Sequence, residues 1–155
     1  MTRPAGIEGD DATTGTRPIT TGFGTFEIDE ADVLTFPQGL PGFESCHRFV
    51  LISSSEIAPL QCLHGIGDPP ASFVAIDPRL VVPDYRSVLT DADRDRIGAA
   101  EGAPLVWLAL AALDAEGRAT VNLRAPVVID PVRMVGCQVV PHDDLYSLRH
   151  TLPLE

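Results

Sequence analysis

The sequence predicts a mainly β fold: a small antiparallel β-barrel-like domain with one short helical insert. Three observations lead there. Apolar residues fall in short runs with β-branched or aromatic members, the length of strands and too short for packed helices. The 14 prolines are spread through 155 residues, and each removes a backbone donor and disfavours helix just before it. Residues 119–124 alternate strictly, with Val121 and Leu123 on one face and Thr120, Asn122 and Arg124 on the other. That is the two-residue period of a strand.

Residues 1–21 are rich in Gly, Thr, Pro and Asp and carry no periodic apolar positions. Such a segment buries too little surface to offset its ordering entropy, so a disordered tail is expected there, with the folded domain spanning 22–155. Residues 23–28 form a first expected strand, closed by Asp29, Glu30 and Asp32. Residues 33–36 form a second, ended by Pro37, and 49–52 and 73–76 read as buried strands. By periodicity the run LVWLALAAL at 105–113 fits a helix or a strand equally. It is short for a helix, and the Asp114-Ala115-Glu116-Gly117 that follows has the composition of a hairpin loop with Gly117 in a left-handed conformation. A strand paired with 119–124 is therefore expected. Runs at 127–129 and 137–140 complete the set. Thr90 is placed to cap a helix starting at Asp91, whose acids suit the positive end of the helix dipole, and Gly98 to end it.

The charge balance narrows the function. Twenty-two acidic residues face 11 basic ones, all arginine, for a net charge of −11. Nucleic-acid binding draws most of its affinity from neutralising phosphates, and no basic run exists: Arg94 and Arg96 alternate with Asp91, Asp93 and Asp95. Direct nucleic-acid binding is not expected, whereas a basic protein partner suits such a surface. No apolar stretch is long enough to span a membrane, the N-terminus lacks the pattern of a signal peptide, and the three cysteines suggest no disulfide framework. A cytoplasmic protein is expected.

Catalytic chemistry is hard to find. There is no glycine-rich phosphate loop and no G-x-S-x-G elbow. Cys46-His47 with Cys62-x-His64 is the nearest approach to a metal set, but Leu60, Leu63 and Ile66 around it point to core packing. His142 beside Asp143 and Asp144 reads as a polar turn, and Trp107 as a core residue. No enzyme activity, cofactor or metal is expected.

One stretch is distinctive. Phe36-Pro37-Gln38-Gly39-Leu40-Pro41-Gly42-Phe43-Glu44 resembles the F-P-x-G-L-P-G-F-E signature of the FliW flagellar assembly factor family. Further resemblances follow in that family's order: Phe23-Gly24 with Glu27-Ile28, Phe73 with Asp77-Pro78, Pro83-Asp84-Tyr85, Val121-Asn122-Leu123-Arg124-Ala125-Pro126, and Gly136-Cys137-Gln138-Val139. Together they cover roughly residues 22–150. The resemblance implies a small β-barrel-like fold and a binding role: holding flagellin in the cytoplasm, and holding CsrA, an RNA-binding translational regulator, so that repression of flagellin translation is relieved. The candidate partner-binding residues are Leu40, Phe43, Glu44, Asp77, Asp84, Tyr85, Asn122, Arg124 and Tyr146.

Overall fold

A computed structural model describes residues 17–21, 24–66, 71–86, 89–100, 102–113, 116–139 and 146–151. The strands are β1 (Arg17–Thr21), β2 (Gly24–Ile28), β3 (Leu34–Thr35), β4 (Arg48–Ser53), β5 (Gln61–Gly65), β6 (Ala71–Ile76), β7 (Val106–Leu113), β8 (Ala119–Asp130), β9 (Val135–Gln138) and β10 (His150–Thr151), with one helix, α1 (Asp91–Ile97). Strands β3 to β9 pair in sequence order, and β9 also pairs back with β3. The ring is therefore a closed barrel, which removes the exposed edges of an open sheet. Each seam is antiparallel except one: β3 meets β9 in parallel at Thr35 and Val135. There Thr35 N donates to Met134 O at 2.9 Å.

Alternation sorts the side chains. Phe49, Leu63, Ala75, Leu108, Val127 and Ile129 fill the interior with Leu34, Phe36 and Leu40. The outer face is also covered, in three places. The β1–β2 hairpin lays Ile19, Phe26 and Ile28 over Val50, Ile52 and Cys62. Tyr85, Val81 and Val82 lie over Ile76, Ala109, Val121 and Leu123. Helix α1 and its approach bring Ile97 and Leu89 onto Val128, Cys137 and Val139, with Trp107 half-buried alongside.

The expected 105–113 strand is β7, and Gly117 has φ of +82°. Helix α1 has the expected ends: Thr90 Oγ1 accepts from Asp93 N, Asp93 returns the bond to Thr90 N, and Gly98 takes φ of +68°. Three strands were not expected. Residues 17–21, assigned by sequence to the tail, instead form β1, paired along its length with β2. The tail assignment otherwise falls on residues 1–16, outside the described residues, as do Phe23, Val140, His142, Asp143 and Asp144. Strand β5 runs between β4 and β6, and β10 pairs with the start of β8.

Candidate functional site

The Pro-Gly-rich loop after β3 closes one end of the barrel. Phe36 is fully buried and its ring lies over Gly136, where an added Cβ would stand 2.6 Å from Cζ. Gly39 has φ of +63°, and a Cβ there would come within 2.6 Å of Phe43 O. Leu40 turns inward to plug the core. Gly42, at φ of +86°, donates its amide to Glu44 Oε2 at 3.0 Å, and that bond holds the Glu44 carboxyl below its ordinary range. His47 Nε2 is hydrogen-bonded to Glu44 O at 2.8 Å. The loop so fixed presents Phe43, 43% exposed, with its ring edge-to-face on Phe73 at 5.1 Å.

Beside this loop the barrel wall is broken. The β7–β8 register jumps from Leu108↔Val127 to Leu110↔Asn122, so Ala109 alone faces Leu123, Arg124, Ala125 and Pro126. Such a bulge frees backbone groups from the ladder, and nearly all of them find partners elsewhere. Asn122 Oδ1 accepts from Arg124 N at 3.1 Å and Ala125 N at 3.0 Å. Tyr85 Oη donates to Leu123 O, and Gln138 Nε2 to Ala125 O, each at 2.8 Å. Leu123 N reaches Ser147 O, and Val139 N reaches Pro126 O. Pro126 has no N–H to satisfy, which suits a bulge. Arg124 Nε donates to Tyr146 O at 2.8 Å, and the Tyr146 ring lies 4.5 Å from that of Tyr85.

Loop and bulge border one groove of about 460 Å³, lined by Gln38, Pro41, Glu44, Asn122, Ala125, Cys137, Gln138, Val139, Arg96 and Leu148. Of the residues predicted from sequence, Glu44 and Asn122 line it. Phe43 stands on the loop beside it, while Leu40 and Tyr85 are buried. Arg124 and Tyr146 brace the bulge. Asp77 lies apart: it caps the turn Pro78–Leu80, accepting from Arg79 N at 2.9 Å and pairing with the Arg79 guanidinium. Asp84 is exposed on the turn before Tyr85. Arg96, Gln138 and Leu148 were missed. Gln138 lies within a recognised motif, but Arg96 reads as one charge in a solvated run and Leu148 as a lone apolar residue.

The remaining titratable groups are quiet. Burial raises the Cys62 and Cys137 thiols and lowers the buried His64 imidazole. His64 Nδ1 is hydrogen-bonded to Ser72 Oγ at 2.7 Å. Among the described residues no group of three or more His, Cys, Asp or Glu is arranged to hold a metal.

Comparison with known proteins decides what this geometry belongs to. The family model described as "FliW protein" matches residues 17–152. The chain belongs to the FliW family. It is 31% identical over 137 residues to "Flagellar assembly factor FliW" of Thermotoga petrophila, covering 87% of this chain and 92% of that one. It is 35% identical over 132 residues to the protein of the same name from Natranaerobius thermophilus, covering 84% and 87%. A crystal structure of the flagellar assembly factor FliW superposes with a TM-score of 0.79 at 29% identity, covering 88% of this chain and 98% of the other. Three of the motifs that resembled FliW in the sequence do one structural job. Pro-Asp-Tyr, Val-Asn-Leu-Arg-Ala-Pro and Gly-Cys-Gln-Val supply Tyr85, Asn122 and Gln138, whose bonds hold the β8 bulge. No described helix is long and apolar enough to cross a membrane.

Proposed function

We propose that this chain is a cytoplasmic flagellar assembly factor that binds flagellin and the regulator CsrA and so relieves CsrA repression of flagellin translation. The observation that carries the reading is FliW family membership across residues 17–152. The chemistry supports a binder over a catalyst. Burial raises the Cys62 and Cys137 thiols and lowers the His64 imidazole, which suits packing and not nucleophilic attack. The loop meanwhile fixes a half-exposed aromatic on rigid backbone, which is the form of a binding anchor.

A regulator that holds RNA does so with positive potential. A domain of net charge −11 docked beside that surface opposes incoming phosphates without occupying the RNA site. CsrA–RNA affinity measured with and without this chain at low salt tests this; equal affinities end it. Flagellin should compete for the chain in the same assay. For flagellin, Phe43→Ala should weaken binding about ten-fold or more, as loss of an aromatic anchor does. Folding should change little, because the ring is 43% exposed and rests edge-to-face on Phe73. Unchanged affinity in a folded variant removes Phe43 from the interface.

A further inference from the structure

Strands β1 and β2 form a two-stranded sheet of their own, and the ring β3 to β9 closes without them. The hold on them is side-chain packing, with Ile19, Phe26 and Ile28 laid over Val50, Ile52 and Cys62. Glu30, on the turn after β2, adds a polar tie. Arg48 of β4 donates through Nη2 to its Oε2, and Arg17 of β1 stands 4.0 Å from its Oε1. A two-stranded hairpin is marginal by itself in water, so these strands keep their ladder only while docked. Lifting them breaks no ladder of the ring.

An ionisable group lies within the covered patch. His64 is 4% exposed. On β5 it stands between Cys62 and Ile66, with Val50 opposite on β4, and all three belong to the cluster that the hairpin packs on. Its Nδ1 is hydrogen-bonded to Ser72 Oγ of β6 at 2.7 Å. The charged groups of the surrounding elements are engaged elsewhere. Arg48 and Arg17 turn to Glu30, and Asp29 and Asp32 cap their own turn. Glu27 alternates with Phe26 and Ile28 and is exposed on the other face of β2. Cys62, the titratable neighbour on β5, is a thiol that burial raises. A proton on His64 is therefore an uncompensated charge under an apolar cover, and it is better solvated with the cover off.

We infer that the β1–β2 hairpin is a strap that lifts as a unit while the barrel stays folded, with protonation of His64 as its acid trigger. Burial holds the imidazole below its ordinary 6.5, so the docked state disfavours the proton. Docking is complete above about pH 6.5 and weakens as pH falls below it, by up to about ten-fold per pH unit.

Hydrogen exchange followed by NMR on the whole chain tests this, with intrinsic exchange divided out at each pH. At pH about 6.5 the β1 and β2 amides should be protected about ten-fold less, or weaker still, than those between β7 and β8, and with little urea dependence, as in a sub-global opening. One pH unit lower, hairpin protection should fall several-fold, and His64→Gln should abolish that fall. Phe26→Ala should lower hairpin protection about ten-fold or more. It should also move the His64 titration, read from its ring C–H signals, up toward 6.5. The inference fails if the hairpin exchanges only when the whole barrel unfolds, or if the acid loss persists in His64→Gln. It fails equally if Phe26→Ala leaves the His64 titration where it was. Should His64→Gln unfold, that titration still decides.

Discussion

Gly39 and Gly42 stand three residues apart with positive φ, +63° and +86°, yet the loop needs them for different reasons. At Gly39 an added Cβ would meet Phe43 O at 2.6 Å and Glu44 Cα at 2.8 Å, both backbone atoms, whereas at Gly42 nothing lies within 4 Å. Gly42→Ala therefore incurs only the left-handed conformation, about 1 kcal/mol. Gly39→Ala adds a clash that side-chain rotation cannot relieve, for a total of about 3 kcal/mol. Urea unfolding of the two variants checks this; equal losses would mean the loop is softer than its contacts imply. The alternation of Pro37, Gly39, Pro41 and Gly42 in the sequence marks a rigid turn, because proline fixes φ. That Leu40 plugs the core while Phe43 stays half-exposed was not legible there, because both are apolar residues next to Pro or Gly and only the direction of the turn separates them.

Among the elements, legibility followed how each one buries itself. Helix α1 could be read because its signals are local: a capping threonine, acids in the first turn and a closing glycine. Strand β7 could be read because the loop after it carries hairpin chemistry. Strand β5, QCLHG, could not. The β1–β2 hairpin covers the outer face beside it, and its Cys62, Leu63, His64 and Gly65 are all buried, so no polar alternation exists to find. Nor could β1, whose five residues include one large apolar side chain, Ile19. The runs at 119–124 and 127–129, expected as two strands, are one strand, β8, interrupted by the bulge. The partners of that bulge come from distant loops, and sequence alone showed them only as motifs. Asn122 is its main local brace, which gives a prediction at this scale. Asn122→Ala leaves two backbone amides without their acceptor and should cost about 2 kcal/mol, while Asn122→Asp keeps the acceptor and should cost under about 0.5 kcal/mol. Chemical denaturation separates them, and a neutral Asn122→Ala would show that water replaces the side chain at no cost.

At the scale of the whole molecule, a closed barrel covered on its outer face puts ionisable groups between layers, and that sets how stability responds to pH. Burial lowers His64 from its ordinary 6.5, so between the folded and unfolded values the unfolded chain binds the extra proton. The contribution of neutral His64 is complete above about pH 6.5 and is lost as pH falls below it. Cys62 and Cys137 are raised from their ordinary 9.0. The unfolded thiols lose protons first, so their contribution is complete below about pH 9 and is lost as pH rises above it. Glu44, lowered from 4.5, acts only in more acidic solution. Self-repulsion at a net charge of −11 works in the opposite sense on the acid side, but most carboxylates take up protons near pH 4, below the histidine's range. The urea midpoint should therefore be highest between about pH 6.5 and 9 and should fall on either side. His64→Gln, which keeps an atom able to bond Ser72 without a titrating proton, should flatten the acid limb and leave the alkaline limb unchanged. A variant whose acid limb falls as steeply as the parent's would show that His64 is not the group responsible.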